Sequence, residues 1–302
     1  MLVHWDDVEP YRRDIGRMRG EWTDLGLAAG SVDVGVRRIR LAAGEIPTPA
    51  HVHILEEEIF YVLGGSGRSW QGGATFEIGA GDCLVHRAGG GAHTLRGGPD
   101  GLDVLAFGHR TRAGGSYVPH GHVFWLDSTW TDAGTGRHPY EREPELDWPE
   151  PSARPPSIVN ADDVEPEERD GATVARARRD LGRAAGSVRT GMKLYDVRPG
   201  KLGAPPHCHS AEEELFVVLD GEGTVLLGDE ELAVRRGHVL SRPPGTGVAH
   251  AFMAGERGLS YLAYGTREPN DITYYPRSGK VFLRGVGVVG RIESLDYWED
   301  ED

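Results

Sequence analysis

The chain is one unit written twice, and that repeat limits what it can fold into more than any other feature. "DDVEP" at Asp6 recurs at Asp162, and "AAGSV" at Ala28 recurs at Ala184. Gly44, His51, His53, Glu58, Gly65 and Gly81 answer to Gly200, His207, His209, Glu214, Gly221 and Gly237, each pair offset by 156 residues. One residue is then inserted: "GLDVLAFG" at Gly101 matches "GLSYLAYG" at Gly258 with an offset of 157, as Pro119 matches Pro276. A repeat of this length is a whole domain, not a solenoid unit. The 302 residues therefore divide into a domain over 1–133, a linker over 134–157 and a second domain over 158–302. The linker, "GTGRHPYEREPELDWPEPSARPPS", is rich in proline and charge and has little apolar periodicity.

Each copy reads as strands and tight turns. "EIFYVLGG" and "ELFVVLDG" are β-rich runs ending in glycine, and "FEIGAGDCLV" and "LAVRRGHVLS" each suggest two strands joined at a glycine. With 44 glycines and no low-complexity tract, short strands at close spacing predict an all-β sandwich or barrel per copy. Helix is scarce; the candidates precede the two AAGSV turns.

Composition removes several classes of partner. A formal net charge of −14 repels phosphate backbones, so nucleic acid is not an expected partner. No stretch of eighteen apolar residues and no apolar leader segment is present, so neither a membrane span nor a signal peptide is expected. Cys83 and Cys208 are too few for a disulfide framework, which fits a reducing, cytoplasmic setting.

"PAHVHILEEEIFYVLGGSG" and its echo "PPHCHSAEEELFVVLDGEG" carry the chemistry. On a strand, His51 and His53 share a face, so both imidazoles can enter one cavity. The following strand places Glu58, Phe60 and Val62 on one face and Ile59, Tyr61 and Leu63 on the other. A carboxylate at the head of an inward row is costly to bury unless a cation compensates it. His93, and His250 in the second copy, follow glycine-rich turns that can fold a distant strand beside the first pair. Three imidazoles and one carboxylate suit Zn, Mn, Fe, Ni or Cu and leave positions open for water or substrate.

These residues resemble the metal motifs of the cupin superfamily, specifically of its two-domain members, the bicupins. The first family motif is matched by Gly44, His51, His53, Glu58 and Gly65, and again by Gly200, His207, His209, Glu214 and Gly221. The second motif is matched by Gly237, Pro243, Gly245 and His250, with two extra residues before the histidine. The first copy supplies Gly81, Gly89 and His93 but has Arg87 where proline is expected, and neither copy has the trailing asparagine. The resemblance implies two tandem jelly-roll (double-stranded β-helix) barrels, each holding one divalent transition metal, Mn, Fe, Zn or Ni. The ligands would be His51, His53, Glu58 and His93 in one barrel and His207, His209, Glu214 and His250 in the other. It implies a metal-dependent dioxygenase or decarboxylase acting on a small organic acid or enol; the alternative is a non-catalytic binder of a sugar or metabolite. A homodimer is compatible with it.

The remaining polar residues receive plainer readings. Glu56, Glu57, Glu212 and Glu213 are expected as solvated turn residues, the alternative being that one of them is the true ligand or a proton shuttle, and Cys208 should face away from the cavity. "HGH" at His120 to His122 reads as a hairpin tip. His86, His109 and His238 are expected on surfaces. Arg38 and Arg40 would hold an anionic substrate if they point inward and pair with acidic loops if they do not. Trp125, Trp130 and Trp298 are expected to seal barrel ends or the domain interface. "KVFLRGVGVVGRIESLDYW" is expected to pack across that interface.

Overall fold

The structure is a computed structural model that describes residues 1–110, 114–126, 129–131 and 136–301. The boundary expected between residues 133 and 134 lies outside them. Apart from short helical turns, including Leu25–Ala28 and Leu181–Ala184 just ahead of the glycines of the AAGSV turns, the described elements are strands.

Each half builds one eight-stranded and one four-stranded antiparallel sheet, the two layers of a jelly roll. In the first half, Glu58–Gln71 and His93–His109 form the centre of the large sheet, and Val52–His53 pairs with Gly115–Val118 in the small one. The second half repeats this with Glu214–Leu227, His250–Thr266 and Cys208–His209 against Ile272–Tyr275. The motif glycines owe their identity to these long pairings. Gly65 and Gly221 have φ of 76°, and a Cβ on either would lie 2.2 Å from the carbonyl oxygen of Gly101 or Gly258.

The two halves exchange their first strands. Leu2–His4 adds to the large sheet of the second half beside His238–Arg242, and Ile158–Asn160 adds to that of the first beside Asp82–His86. Residues expected as linker bind the first barrel. Trp70 Nε1 donates to Asp147 O at 3.0 Å, and the buried Glu143 accepts from Ala50 N at 3.0 Å.

Alternation divides each strand between two cores. Phe60, Val62, Leu95 and Val104 fill the first barrel, and Phe216, Val218, Phe252 and Leu259 the second. The opposite faces meet in a shared core that includes Ile59, Leu105, Phe107, Leu215, Leu262 and Tyr264. Phe107 and Tyr264 touch there with ring centroids 5.0 Å apart. This core takes the place expected for the C-terminal segment. That segment instead forms Lys280–Leu283 and Val288–Arg291 at the outer edge of the small second sheet, with Val288 and Val289 exposed.

Candidate metal centres

Backbone pairing brings the cluster residues together. His51 and His93 form an isolated antiparallel bridge, each N–H donating to the other's carbonyl at 3.2 and 3.0 Å. His207 and His250 repeat it at 3.2 and 2.9 Å. Glu58 and Glu214 open the adjacent long strands, and His53 and His209 end two-residue strands of the small sheets. The side chains of distant sequence segments thus meet inside each barrel.

In the first barrel His51, His53, Glu58 and His93 each offer a ligand atom within 4.8 Å of all the others. Glu58 Oε2 lies 3.0 Å from His93 Nε2 and 3.5 Å from His53 Nε2. In the second, His207, His209 and Glu214 form the tight group. His250 borders it, its Nε2 3.0 Å from Glu214 Oε2. The outer ring nitrogens are committed elsewhere. His51 Nδ1 faces Pro49 O at 2.9 Å and His207 Nδ1 faces Pro205 O at 2.7 Å. His53 Nδ1 meets Glu56 at 3.1 Å, and His209 Nδ1 meets Asp271 at 2.7 Å. A carbonyl can only accept, so Nδ1 of His51 and His207 carries the proton and Nε2 turns a lone pair to the centre.

The centres fit a cation. Nε2 of His53, His209 and His250 and Oε2 of Glu214 are buried without a partner in hydrogen-bonding geometry, an arrangement that is unfavourable without a ligand. The electrostatics agree. Burial alone would lower the pKa of His53 and His209, but Glu58 and Glu214 outweigh it and raise both to about 10. Burial and the neighbouring histidines push His51 down to about 3 and His207 to about 4. Burial would raise Glu58 and Glu214, yet His53 and His209 hold them well below the usual carboxylate range. Each cluster thus sets one anion against an imidazole that holds its proton until a cation displaces it, and three imidazoles with one carboxylate are a donor set for a divalent transition metal, once in each barrel.

The two surroundings differ. The first cluster opens into a cavity of about 880 Å³, whose lining includes Arg13, Arg37, Trp125, Trp130 and Tyr140. In the second, Tyr275 stacks on His207 with centroids 5.7 Å apart, and the buried Asp271 accepts from His209. Arg284 pairs with Glu212 beside them. The repeat puts Val118 where Tyr275 stands and Gly114 where Asp271 stands.

Several expectations are corrected. Glu57 and Glu213 are completely buried, not solvated. Glu57 accepts from Ser187, Val188 and Thr190 of the second half, and Glu213 from Val32, Asp33 and Val34 of the first. Glu212 is also buried, and Glu56 buttresses His53. His86 is not on the surface: it is 7% exposed and stacks parallel on His93 at 3.7 Å. His109 lines the cavity, and His238 is half-buried, edge-on to His4. Arg38 faces away from the cavity toward Asp103 and Trp5, and Arg40 pairs with Glu21. The inward residue is Arg37, because Arg37, Ile39 and Leu41 share the barrel face. Correct strand parity taken from the apolar Ile39 and Leu41 was the available signal for it. Trp125 and Trp130 line the cavity, and Trp298 is exposed. Cys208 is buried outside the clusters, and His120 to His122 turn between Val118 and Val123 as expected.

A profile of the cupin domain matches residues 37–99 and 193–263. No curated protein matches the chain. Among solved structures, the oxalate decarboxylase of Lactobacillus farciminis in its formate complex superposes with a TM-score of 0.61 at 16% identity, covering 88% of this chain and 86% of that one. The oxalate decarboxylase of Bacillus subtilis, described with Mn(II) centres, gives 0.62 at 16% identity over 90% and 78%. At this identity the likeness establishes the fold. No helix among the described residues is long and apolar enough to cross a membrane. With one profile match in each of two barrels of the same topology, each holding its converged histidines and glutamate, the chain carries two cupin domains, the arrangement of a bicupin.

Proposed function

We propose that the chain is a metal-dependent enzyme acting on an organic acid or its enol, with the reaction in the first barrel and a second metal supporting the fold of the other. The observation that carries this reading is the asymmetry of the two clusters. The first opens into a cavity of about 880 Å³ lined partly by arginines, whereas Tyr275 stacks against the second. His51, His53, Glu58 and His93 would hold the first metal, and His207, His209, Glu214 and His250 the second. Bound there, a divalent metal supplies Lewis-acid polarisation of a carboxylate or enolate and, when it is iron or manganese, access to oxygen chemistry.

The chain's own residues prepare that chemistry. The Pro49 carbonyl and Glu56 fix the imidazoles of His51 and His53, and His86 holds the plane of the His93 ring by stacking. The arginines raise the local potential for an anion, and the tryptophans and Tyr140 restrict water at the wall. The structural relatives named for oxalate decarboxylation support a carboxylic acid as substrate class.

Metal analysis by mass spectrometry tests the reading on chain purified without chelator or nickel affinity. Two metals per chain are expected. The pair His51→Ala, His53→Ala should remove one metal and all turnover in oxygen-uptake and carbon-dioxide-release assays on a panel of carboxylic acids. The pair His207→Ala, His209→Ala should remove the other while leaving turnover measurable. Absence of metal after reconstitution would sink the proposal.

A further inference from the structure

We infer that the cavity of the first barrel takes a ring-bearing carboxylic acid, with Arg13 receiving a carboxylate and an aromatic wall receiving the ring. This rests on the reading that the first barrel is the reactive one, and names its substrate class. Size speaks first. About 880 Å³ lies in the upper part of the range that encloses drug-sized ligands, so a two-carbon diacid would leave most of it to water.

The lining speaks second. Trp125 and Trp130 meet edge to face with centroids 4.8 Å apart, and Tyr140 stands against Trp130 at 5.9 Å. All three line the cavity that holds the His51, His53, Glu58 and His93 cluster. An aromatic wall of this kind favours a flat apolar guest over a small hydrophilic dianion.

Charge speaks third. Arg13 lies over the Trp22 ring at 4.5 Å and donates to Tyr140 Oη at 3.3 Å. Among the described residues it has no carboxylate within 4 Å, and Tyr140 is its one side-chain acceptor. The other arginines of this wall are engaged. Arg37 is held by Asp24 at 2.5 Å, and Arg110 donates to Ser31 O at 2.7 Å. A guanidinium whose fork is left free beside an aromatic wall is a carboxylate receptor by geometry. Tyr140 comes from the segment expected as linker, the residue at the same offset in the second copy is the 83% exposed Tyr297, and the repeat equivalent of Arg13 is the exposed Arg169. The subsite therefore belongs to the first barrel alone.

Isothermal titration calorimetry of the full chain, with metal content measured on the same sample, tests this against benzoate, 2-naphthoate, benzamide and oxalate. Both aromatic acids should bind at one site per chain, benzamide roughly tenfold or more weaker for the lost charge-assisted pair, and oxalate weaker by a similar factor because it has no ring to set against the aromatic wall. Arg13→Gln should weaken 2-naphthoate by a similar factor with metal content unchanged, and Arg13→Lys should recover part of it. Oxalate binding as tightly as the aromatic acids, benzamide matching benzoate, or Arg13→Gln binding like the unmodified chain would overturn the inference. Should the variants fail to fold, the ligand series on the unmodified chain decides. A chain that holds no metal defeats the enzymatic reading, whereas a metal-loaded chain without this ligand preference defeats only the subsite.

Discussion

Glu57 and Glu213 show what one residue can carry in this molecule. Each immediately precedes the glutamate of a cluster, and each is spent on the other barrel. Glu57 accepts from Ser187 Oγ at 2.5 Å, Val188 N at 2.9 Å, Thr190 N at 3.1 Å and Thr190 Oγ1 at 2.6 Å. Burial would raise its pKa, but these donors lower it below the usual carboxylate value. Glutamine at this position would turn an amide donor toward these donors. Glu57→Gln should therefore cost on the order of 3 kcal/mol, the scale for breaking a buried charge-assisted set. Chemical denaturation would check it, and a loss below about 1 kcal/mol would show that the clasp contributes little. A run of three glutamates reads as a solvated turn because nothing local distinguishes its members. Only the docking of the second barrel decides that the middle one is buried.

Among elements, the exchanged first strands are the least expected. Leu2–His4 pairs with His238–Arg242 of the distant barrel, and Trp5 lies buried in the shared core. Removing residues 1–5 should lower the melting temperature and open the second half first to proteolysis, while the His51 and His93 cluster keeps its metal. The cost should reach about 3 kcal/mol, the scale for losing one large buried aromatic side chain. An unchanged melting temperature would refute the role given to this strand. The offset of 156 makes Leu2 the counterpart of Ile158, but neither segment is read as a strand from the sequence. Nor does the repeat show which sheet each joins, because strand pairing depends on where the neighbouring barrel sits. The first six residues of the strand Glu58–Gln71, by contrast, were legible one by one. Phe60 and Val62 enter the barrel and Ile59 and Tyr61 the shared core, as period-two alternation requires.

For the whole molecule, the paired clusters make stability depend on pH when no metal is bound. His53 and His209 are raised to about 10, so the stability they contribute is complete below about 6.5 and is lost as pH climbs toward 10. His51 and His207 are lowered to about 3 and 4, so theirs is present above about 6.5 and is lost as pH falls toward those values. The lowered Glu58 and Glu214 add to the loss on the acid side. The melting temperature of metal-stripped protein should thus peak near pH 6.5 and fall in both directions, followed by calorimetry across a buffer series. A profile rising steadily from pH 5 to 9 would contradict this balance. Adding metal should raise the curve most near and above neutrality, because protons compete for the same nitrogens at low pH.

The order of residues was enough to reveal the duplication, the all-β character and both sets of histidines and glutamate. Each is written in local spacing or in a constant offset, and neither needs knowledge of what lies across the fold. The exchanged strands, the glutamate clasp, the stacking of His86 on His93 and the inward turn of Arg37 were settled by three-dimensional contact between segments far apart in the chain. So was the contrast between an open first cavity and a second cluster faced by Tyr275. Burial is the physical reason: whether a polar side chain ends in solvent or in a core is set by what packs over it, and here that covering is often the other half of the molecule.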